Sequence, residues 1–199
     1  MRIIQAINYL KLFKMKTINL VTSNPGKLRE FKQILEPEIK ISHIDRAFPE
    51  LRSDDSGEIA RMSAEMISKK LNKTVVVEDS GLFIDALNGL PGIVSAYIHK
   101  RIGLEGLLKL MEGKKNRSCE YKSAVAYCEP GKEAVSFLGV EKGTIALKPK
   151  GKFRFGHDPI FIPEGSKKTY GEMKNIEQIK KFRRIAVLKL KDYLLKQKK

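Results

Sequence analysis

The sequence predicts an α/β fold with a mixed sheet and an antiparallel hairpin lobe. Three observations carry that prediction. First, Ile18-Asn19-Leu20-Val21 reads as a short buried strand. It breaks at Thr22-Ser23-Asn24-Pro25-Gly26 and passes into a helical pattern with Leu28, Phe31, Ile34 and Leu35 on one face. Second, "TVVVEDSGLFIDAL" begins as a continuous apolar run, the mark of a strand covered on both sides. Third, the β-rich segments "CEYKSAVAYCE" and "EAVSFLGVEKGTIAL" flank the turn "EPGKE" and so predict a hairpin.

The remaining elements follow in order. Ile39 to Ile44 reads as a second short strand, and "PELRSDDS" at 49–56 as a polar loop. Ser56 can cap a helix over about 57–71, with Ile59, Met62, Met66, Ile67 and Leu71 as its apolar stripe. "NGLPGIVSAY" reads as a turn-rich loop, residues 103–112 as a helix, "GKFRFGHDPIFIPEG" as a Gly- and Pro-punctuated loop, and about 177–198 as a final helix. Internal repeats are absent from the sequence. One domain over 15–199 accounts for the pattern. Residues 1–14 read as an upstream extension, because Met15 stands just before the first strand as a plausible start. The apolar stretch Ala6 to Phe13, broken by Asn8 and Lys11, is too short for a signal peptide and has no clear cleavage site.

Composition narrows the function classes. The 199 residues are 42% hydrophobic, enough for a real core, and no apolar run nears the roughly 18 residues of a membrane span. The sequence therefore predicts a soluble, cytoplasmic protein. A net charge of +16 points to anionic partners. The basic residues are dispersed, however, with no like-charged run marking a nucleic-acid arm, and a thermophile's Lys-rich surface accounts for them equally well, so charge alone argues little for nucleic acid. Cys119 and Cys128 are nine apart, which puts them on opposite faces of a continuous strand and predicts two buried free thiols. The histidines His43, His99 and His157 show no metal spacing.

Several stretches could carry chemistry. The turn "TSNPGK" supplies Thr22, Ser23, Asn24 and Lys27 at a helix N-terminus, where N–H groups and the helix dipole favour an anion. An ordinary βα turn with a solvated lysine has the same residues, and the P-loop spacing is absent. Glu78-Asp79 follow a Val-rich strand. Such acids either sit in water at the strand end or act as a Mg²⁺ or general-base carboxylate where open sheets bind ligands. "PEL" adds Glu50, and "FRFGHDPIF" adds Phe155 for stacking and Asp158 for hydrogen bonds to a base edge. Phosphate cradle, carboxylates, aromatic plate and base-reading acid together describe a nucleoside triphosphate site.

On "TSNPGK", "PEL", "EDSGL", "LPG", "FGHDPIF" and "TYGEM", in that order from about Thr17 to Leu195, the sequence resembles the inosine triphosphate pyrophosphatases, which cleanse non-canonical purine nucleotides. The resemblance implies an elongated mixed sheet with helices forming two lobes around a central nucleotide-binding cleft, usually in a homodimer. It implies Mg²⁺-dependent hydrolysis of ITP, dITP or XTP to the monophosphate and pyrophosphate. By position, Thr22, Ser23, Asn24 and Lys27 would hold phosphates, and Glu50 and Asp79 would ligate Mg²⁺. Asp79 would also position the attacking water, and Ser80 would contact the nucleotide. Phe155, Gly156, His157 and Asp158 would form the base end, completed by Gln178, Arg183 and Arg184. The sequence departs from the family there. Gln178 stands for a lysine, Arg183 for a base-binding histidine, Ser63 for a helix lysine, and His157 for Tyr or Trp, while Lys180 or Lys181 could reach the missing lysine's space. Arg183 is expected to favour 6-oxo purines. These departures keep two other readings open: a pyrophosphatase for modified pyrimidine or canonical nucleotides, and a weakly catalytic nucleotide- or RNA-binding protein.

Overall fold

The computed structural model describes residues 16–46, 55–152, 155–174 and 180–197. The segments 1–14, Glu50 and Gln178 therefore lie outside the described residues. The first βα unit forms as predicted, with strand β1 (Lys16–Val21) and helix α1 (Pro25–Leu35). Its Phe31, Ile34 and Leu35 are buried. Strand β2 (Ile39–Ile44) pairs parallel with β1. Helix α2 (Ser56–Leu71) is capped by Asp55, whose carboxylate accepts from Gly57 N–H at 2.7 Å. The cap is thus one residue earlier than predicted, and Ser56 is already helical.

Strand β3 (Val75–Ile84) does not stop at the acids. It runs through Glu78 and Asp79 to Ile84, because β5 (Ser118–Cys128) pairs with it antiparallel along that whole length, from Val75 opposite Cys128 to Ile84 opposite Cys119. The acids are therefore mid-strand. The short strand β4 (Pro91–Gly92) pairs with β3 inside what reads as a loop in the sequence. Helix α3 spans Ser95–Leu110, starting well before residue 103. Gly103, with φ 66°, interrupts it, which is why the sequence signal restarts there. Strand β6 (Val135–Ile145) completes the predicted hairpin. Strand β7 (Phe161–Pro163) adds to its edge, and helix α4 (Lys181–Lys196) closes the described chain.

The sheet order is β2-β1-β3-β5-β6-β7, with β4 beside β3. It is mixed, since β1 pairs parallel with β2 and β3 while the rest are antiparallel. Alternation along β3 explains the packing. Val76 joins Ile18, Leu20, Phe31, Ala186, Val187 and Leu190 under α1 and α4. Val75 and Val77 join Val21, Ala60, Ala64 and Ile67 under α2. Beyond the acids, Leu82 and Ile84 enter another cluster with Leu107, Tyr121, Phe161, Tyr170 and Phe182. Each fully buried large side chain contributes ~1.5–3 kcal/mol. The acids mark the point where β3 passes from one cluster to the next, and the helices leave a gap there. Both cysteines are buried free thiols in different clusters, as their odd spacing predicts.

Candidate active site

The gap is a cleft of about 360 Å³, bordered by Asn24, Lys27, Asp79, Ser80, His99, Tyr121, Phe155, Gly156, His157, Asp158, Lys180 and Arg183 among others. Two close backbone approaches shape it. A Cβ on Gly81 would meet the Gly92 carbonyl oxygen at 2.0 Å, so β4 can lie against β3 only at a glycine. A Cβ on Gly139 of β6 would meet the Phe182 carbonyl oxygen at 1.9 Å, so the first turn of α4 rests directly on the sheet. Glu141 of β6 then caps α4 from outside, accepting from Lys181 N–H at 2.7 Å and Phe182 N–H at 3.2 Å and from the Tyr170 hydroxyl. These contacts fix where Lys180 and Arg183 enter the cleft.

The phosphate turn is ordered by its own side chains. Asn24 caps α1, its Oδ1 accepting from Gly26 N–H at 2.8 Å and Lys27 N–H at 3.2 Å. The N–H groups expected to stand open for an anion are thus engaged in the apo chain. Thr22 is buried and does not border the cleft. Its Oγ1 accepts from Asn24 N–H at 3.1 Å, and its carbonyl accepts from His43 Nε2 at 2.8 Å. Ser23 is exposed and also lies off the cleft. Ser63, at the position of the family's helix lysine, is fully buried in α2 and does not reach it.

Sequence reasoning missed the charge network beneath the turn. Glu78 is buried, and its carboxylate lies 2.6 Å from Lys27 Nζ and 3.0 Å from Arg183 Nε, while Ser123 donates to it at 2.6 Å. Burial alone would raise its pKa, but Arg183 and Lys27 outweigh that and bring it to about 2. Arg183 also forms a two-pronged pair with Glu30 of α1, at 2.8 and 2.9 Å, and donates through Nη2 to Ser80 Oγ at 3.1 Å. Burial lowers its pKa, but the two carboxylates raise it further and keep it charged. Its donors therefore face carboxylates and Ser80 rather than an open base edge. Arg184 is exposed and does not border the cleft, since one helical step turns a side chain by about 100°. Asp79 is half-buried on the cleft wall and accepts from Ser80 N–H at 2.9 Å.

At the other end, Phe155 stands 61% exposed, a free aromatic face at the mouth. Behind it Asp158 is 1% exposed, with Oδ2 2.8 Å from Lys180 Nζ. Of the two lysines that could reach the missing lysine's space, Lys180 borders the cleft, whereas Lys181 is exposed. His157 packs edge-on against His99, with ring centroids 5.1 Å apart, and burial followed by the His99 charge lowers its pKa to about 4. Each of these two histidines carries a buried ring nitrogen without a hydrogen-bond partner among the described residues.

A lysine, a half-buried carboxylate, a stacking plate and a buried acid thus share one cleft. The sequence model described as "Ham1 family" matches residues 18–193. The chain is 51% identical over 153 residues to the dITP/XTP pyrophosphatase of Methanopyrus kandleri, covering 76% of this chain and 81% of that protein. It is 42% identical over 159 residues to the dITP/XTP pyrophosphatase of Thermococcus kodakarensis, covering 79% and 85%. The solved Ham1 protein of Staphylococcus aureus matches with TM-score 0.78 and 31% identity, over 90% of this chain and 99% of that one. The Coxiella burnetii HAM1 protein matches with TM-score 0.80 and 28% identity, over 92% and 100%. Sequence and fold agree over nearly the whole length: the chain belongs to the Ham1 family.

Proposed function

We propose that the chain hydrolyses non-canonical purine nucleoside triphosphates, ITP, dITP and XTP, to the monophosphate and pyrophosphate, cleansing the nucleotide pool. One observation carries the reading. One cleft brings Lys27 and Asp79 together with Phe155 and the Asp158–Lys180 pair, the residue types that a triphosphate and a purine require. The relatives named dITP/XTP pyrophosphatase support it.

Phe155 stacks on the base. Ionised Asp158 accepts from the N1–H of a 6-oxo purine, and Lys180, with two donors beyond the one to Asp158, reaches its carbonyl. Lys27 meets the phosphates by sharing its ammonium between them and Glu78, while Arg183 keeps Glu78 balanced. Asp79 orients the water that attacks the α-phosphorus. The new bond joins that water's oxygen to the α-phosphorus, the bond from the α-phosphorus to the bridging oxygen breaks with its electron pair leaving on pyrophosphate, and the water's proton passes to solvent.

The donor set fits Mg²⁺. Among the described residues no group of three His, Cys, Asp or Glu forms a metal cage. Mg²⁺ needs none, since it commonly takes one or two carboxylates plus substrate phosphates. Asp79, with Glu50, would hold it, whereas Glu78 is engaged by two cations. Bound Mg²⁺ would neutralise charge on the phosphates. A homodimer and a cytoplasmic location belong to the same reading, the latter supported by the two buried free thiols. No helix of the described residues is long and apolar enough to cross a membrane.

The test is a panel of ITP, dITP, XTP, GTP, ATP and dUTP, with Mg²⁺ and with chelator, scored for pyrophosphate against orthophosphate. Pyrophosphate from the 6-oxo purines, lost on chelation, is expected. Orthophosphate alone would mean attack at the γ-phosphorus and would end the reading.

A further inference from the structure

Lys180 stands at the N-cap of α4 and is 6% exposed. Its ammonium is 2.8 Å from Asp158 Oδ2 and lies over the rings of Phe155 and Tyr170, at 5.3 and 5.9 Å. We propose that Lys180 is a positioning residue that holds Asp158 as an acceptor-only carboxylate, and so makes the base end refuse purines whose N1 carries no hydrogen. The inference rests on the reading of Asp158 as the base-edge acid.

An ionised carboxylate can only accept, whereas a protonated one also donates. Hypoxanthine and xanthine present N1–H, a donor. Adenine presents a bare N1, an acceptor. A protonated Asp158 would therefore bind adenine as readily as a charged one binds hypoxanthine, and the discrimination would vanish. Burial holds the Asp158 carboxyl above the usual carboxylate value even beside Lys180, which opposes that rise first, with Arg183 a lesser influence, so loss of Lys180 would raise it further.

Among the described residues, no other group facing Asp158 replaces Lys180. Tyr121 from β5 and Tyr170, beside the 170–172 turn, are phenols, and burial raises both. His157, its chain neighbour, is kept neutral by burial, and His99 from α3 lies beyond it. Glu141, on the far side of Tyr170, is a like charge. Arg183 is paired with Glu30 and Glu78. The Asp158 backbone is held in place, since its N–H donates to the Phe155 carbonyl at 3.1 Å and its carbonyl accepts from Gly171 N–H at 2.9 Å.

The experiment measures kcat/KM for ITP and ATP from about pH 5.5 to 8.5, in wild type, Lys180→Met, Lys180→Arg and Asp158→Asn, with thermal melting to confirm folding. Wild type and Lys180→Arg should hold a constant ITP/ATP ratio, because each keeps a cation on Asp158. In Lys180→Met the ratio should fall by at least about tenfold as the pH drops, since an unpaired buried carboxylate takes up a proton. A lowered ratio independent of pH would mean that Lys180 only touches the base, and the inference would be overturned. Should Lys180→Met fail to fold, Lys180→Gln removes the charge and answers the same question. Asp158→Asn separates the two ideas. An unchanged ratio there would sink the base-end reading itself, whereas a collapsed ratio beside a pH-flat Lys180→Met would sink only the role of Lys180.

Discussion

Charge is handled in opposite ways at the two ends of the cleft. At the phosphate end two cations and two carboxylates interlock: Lys27 and Arg183 on Glu78, and Arg183 again on Glu30. The set is internally neutral and ties α1, β3 and α4 together before any ligand arrives. At the base end the Lys180–Asp158 pair sits among rings, beside two histidine nitrogens without partners among the described residues and a largely exposed Phe155. One end is a cross-braced frame and the other is a partly finished surface. Substitutions at the first should cost stability or all activity alike, and substitutions at the second should change selectivity.

The largest effect is expected at Asp79, on the boundary of the two ends. Asp79→Asn should lower kcat by about a thousandfold, or ~4 kcal/mol in the barrier, and leave the melting temperature nearly unchanged, because the side chain is half-buried rather than part of the frame. A variant keeping a tenth of wild-type activity would remove Asp79 from the chemistry.

Arg183→Ala comes next and is the sharpest test of the comparison. It removes the guanidinium from buried Glu30 and leaves Glu78 with Lys27 and Ser123 alone, and breaking such a buried pair typically costs ~3–5 kcal/mol, a fall in melting temperature on the order of 10 °C for a chain of this size. Activity should drop by the same factor on ITP, XTP and ATP. The sequence assigns Arg183 to the base edge, and a loss confined to ITP would restore that assignment.

The third effect is smaller and depends on pH. His157 has a pKa of about 4 in the folded chain, against 6.5 as its ordinary value. Above 6.5 neither state binds the proton. Between 6.5 and about 4 the unfolded chain binds it and the folded chain does not, so stability is lost as the pH falls, by up to ~3 kcal/mol. His157→Phe keeps the ring, removes the proton site and deletes no bond at Nε2, which has no partner among the described residues. Its denaturant midpoint should therefore fall less steeply than wild type across that window. Equal slopes would show that His157 is not shielded.

What was legible in the sequence follows the same division. The βα unit, the hairpin and the cysteine faces were readable because each is a local periodicity, whereas the α2 stripe was read only in part: Ile59 and Ile67 are buried, but Met62 and Met66 are exposed and the small residues Ala60, Ser63 and Ala64 take the packed face. Asp158 and Phe155 were readable as types. The frame was not, because its members are far apart in the chain: Glu30, Glu78 and Arg183 meet only when α1, β3 and α4 converge. Partial signals existed. Lys27 and Glu30 are three apart on one helix, and Leu82-Phe83-Ile84 after the acids already says that β3 continues, which places Glu78 inside the sheet. The phosphate turn was over-read for the converse reason. Its hydroxyl and amide groups match an anion cradle in type, but Thr22 and Asn24 use them to fold the turn.

The smallest expected effect is at Arg184, and it tests the geometry of α4 itself. The resemblance puts Arg184 in the site beside Arg183, but the step from Arg183 to Arg184 turns the side chain by about 100°, out of the buried stripe. Arg183 points inward because Phe182, Arg183, Ala186, Val187 and Leu190 form the buried stripe, and Gly139 with Glu141 locks the first turn in that rotation. Arg184 therefore faces solvent. Arg184→Ala should change stability by less than ~0.5 kcal/mol, as exposed substitutions usually do, and kcat/KM for ITP by less than about twofold. The outcome that would break the picture is a tenfold loss on ITP with the fold intact. It would mean that α4 turns by a residue when nucleotide binds, unlocking Arg183 from Glu30 and Glu78, and that the cross-braced end is the one that moves.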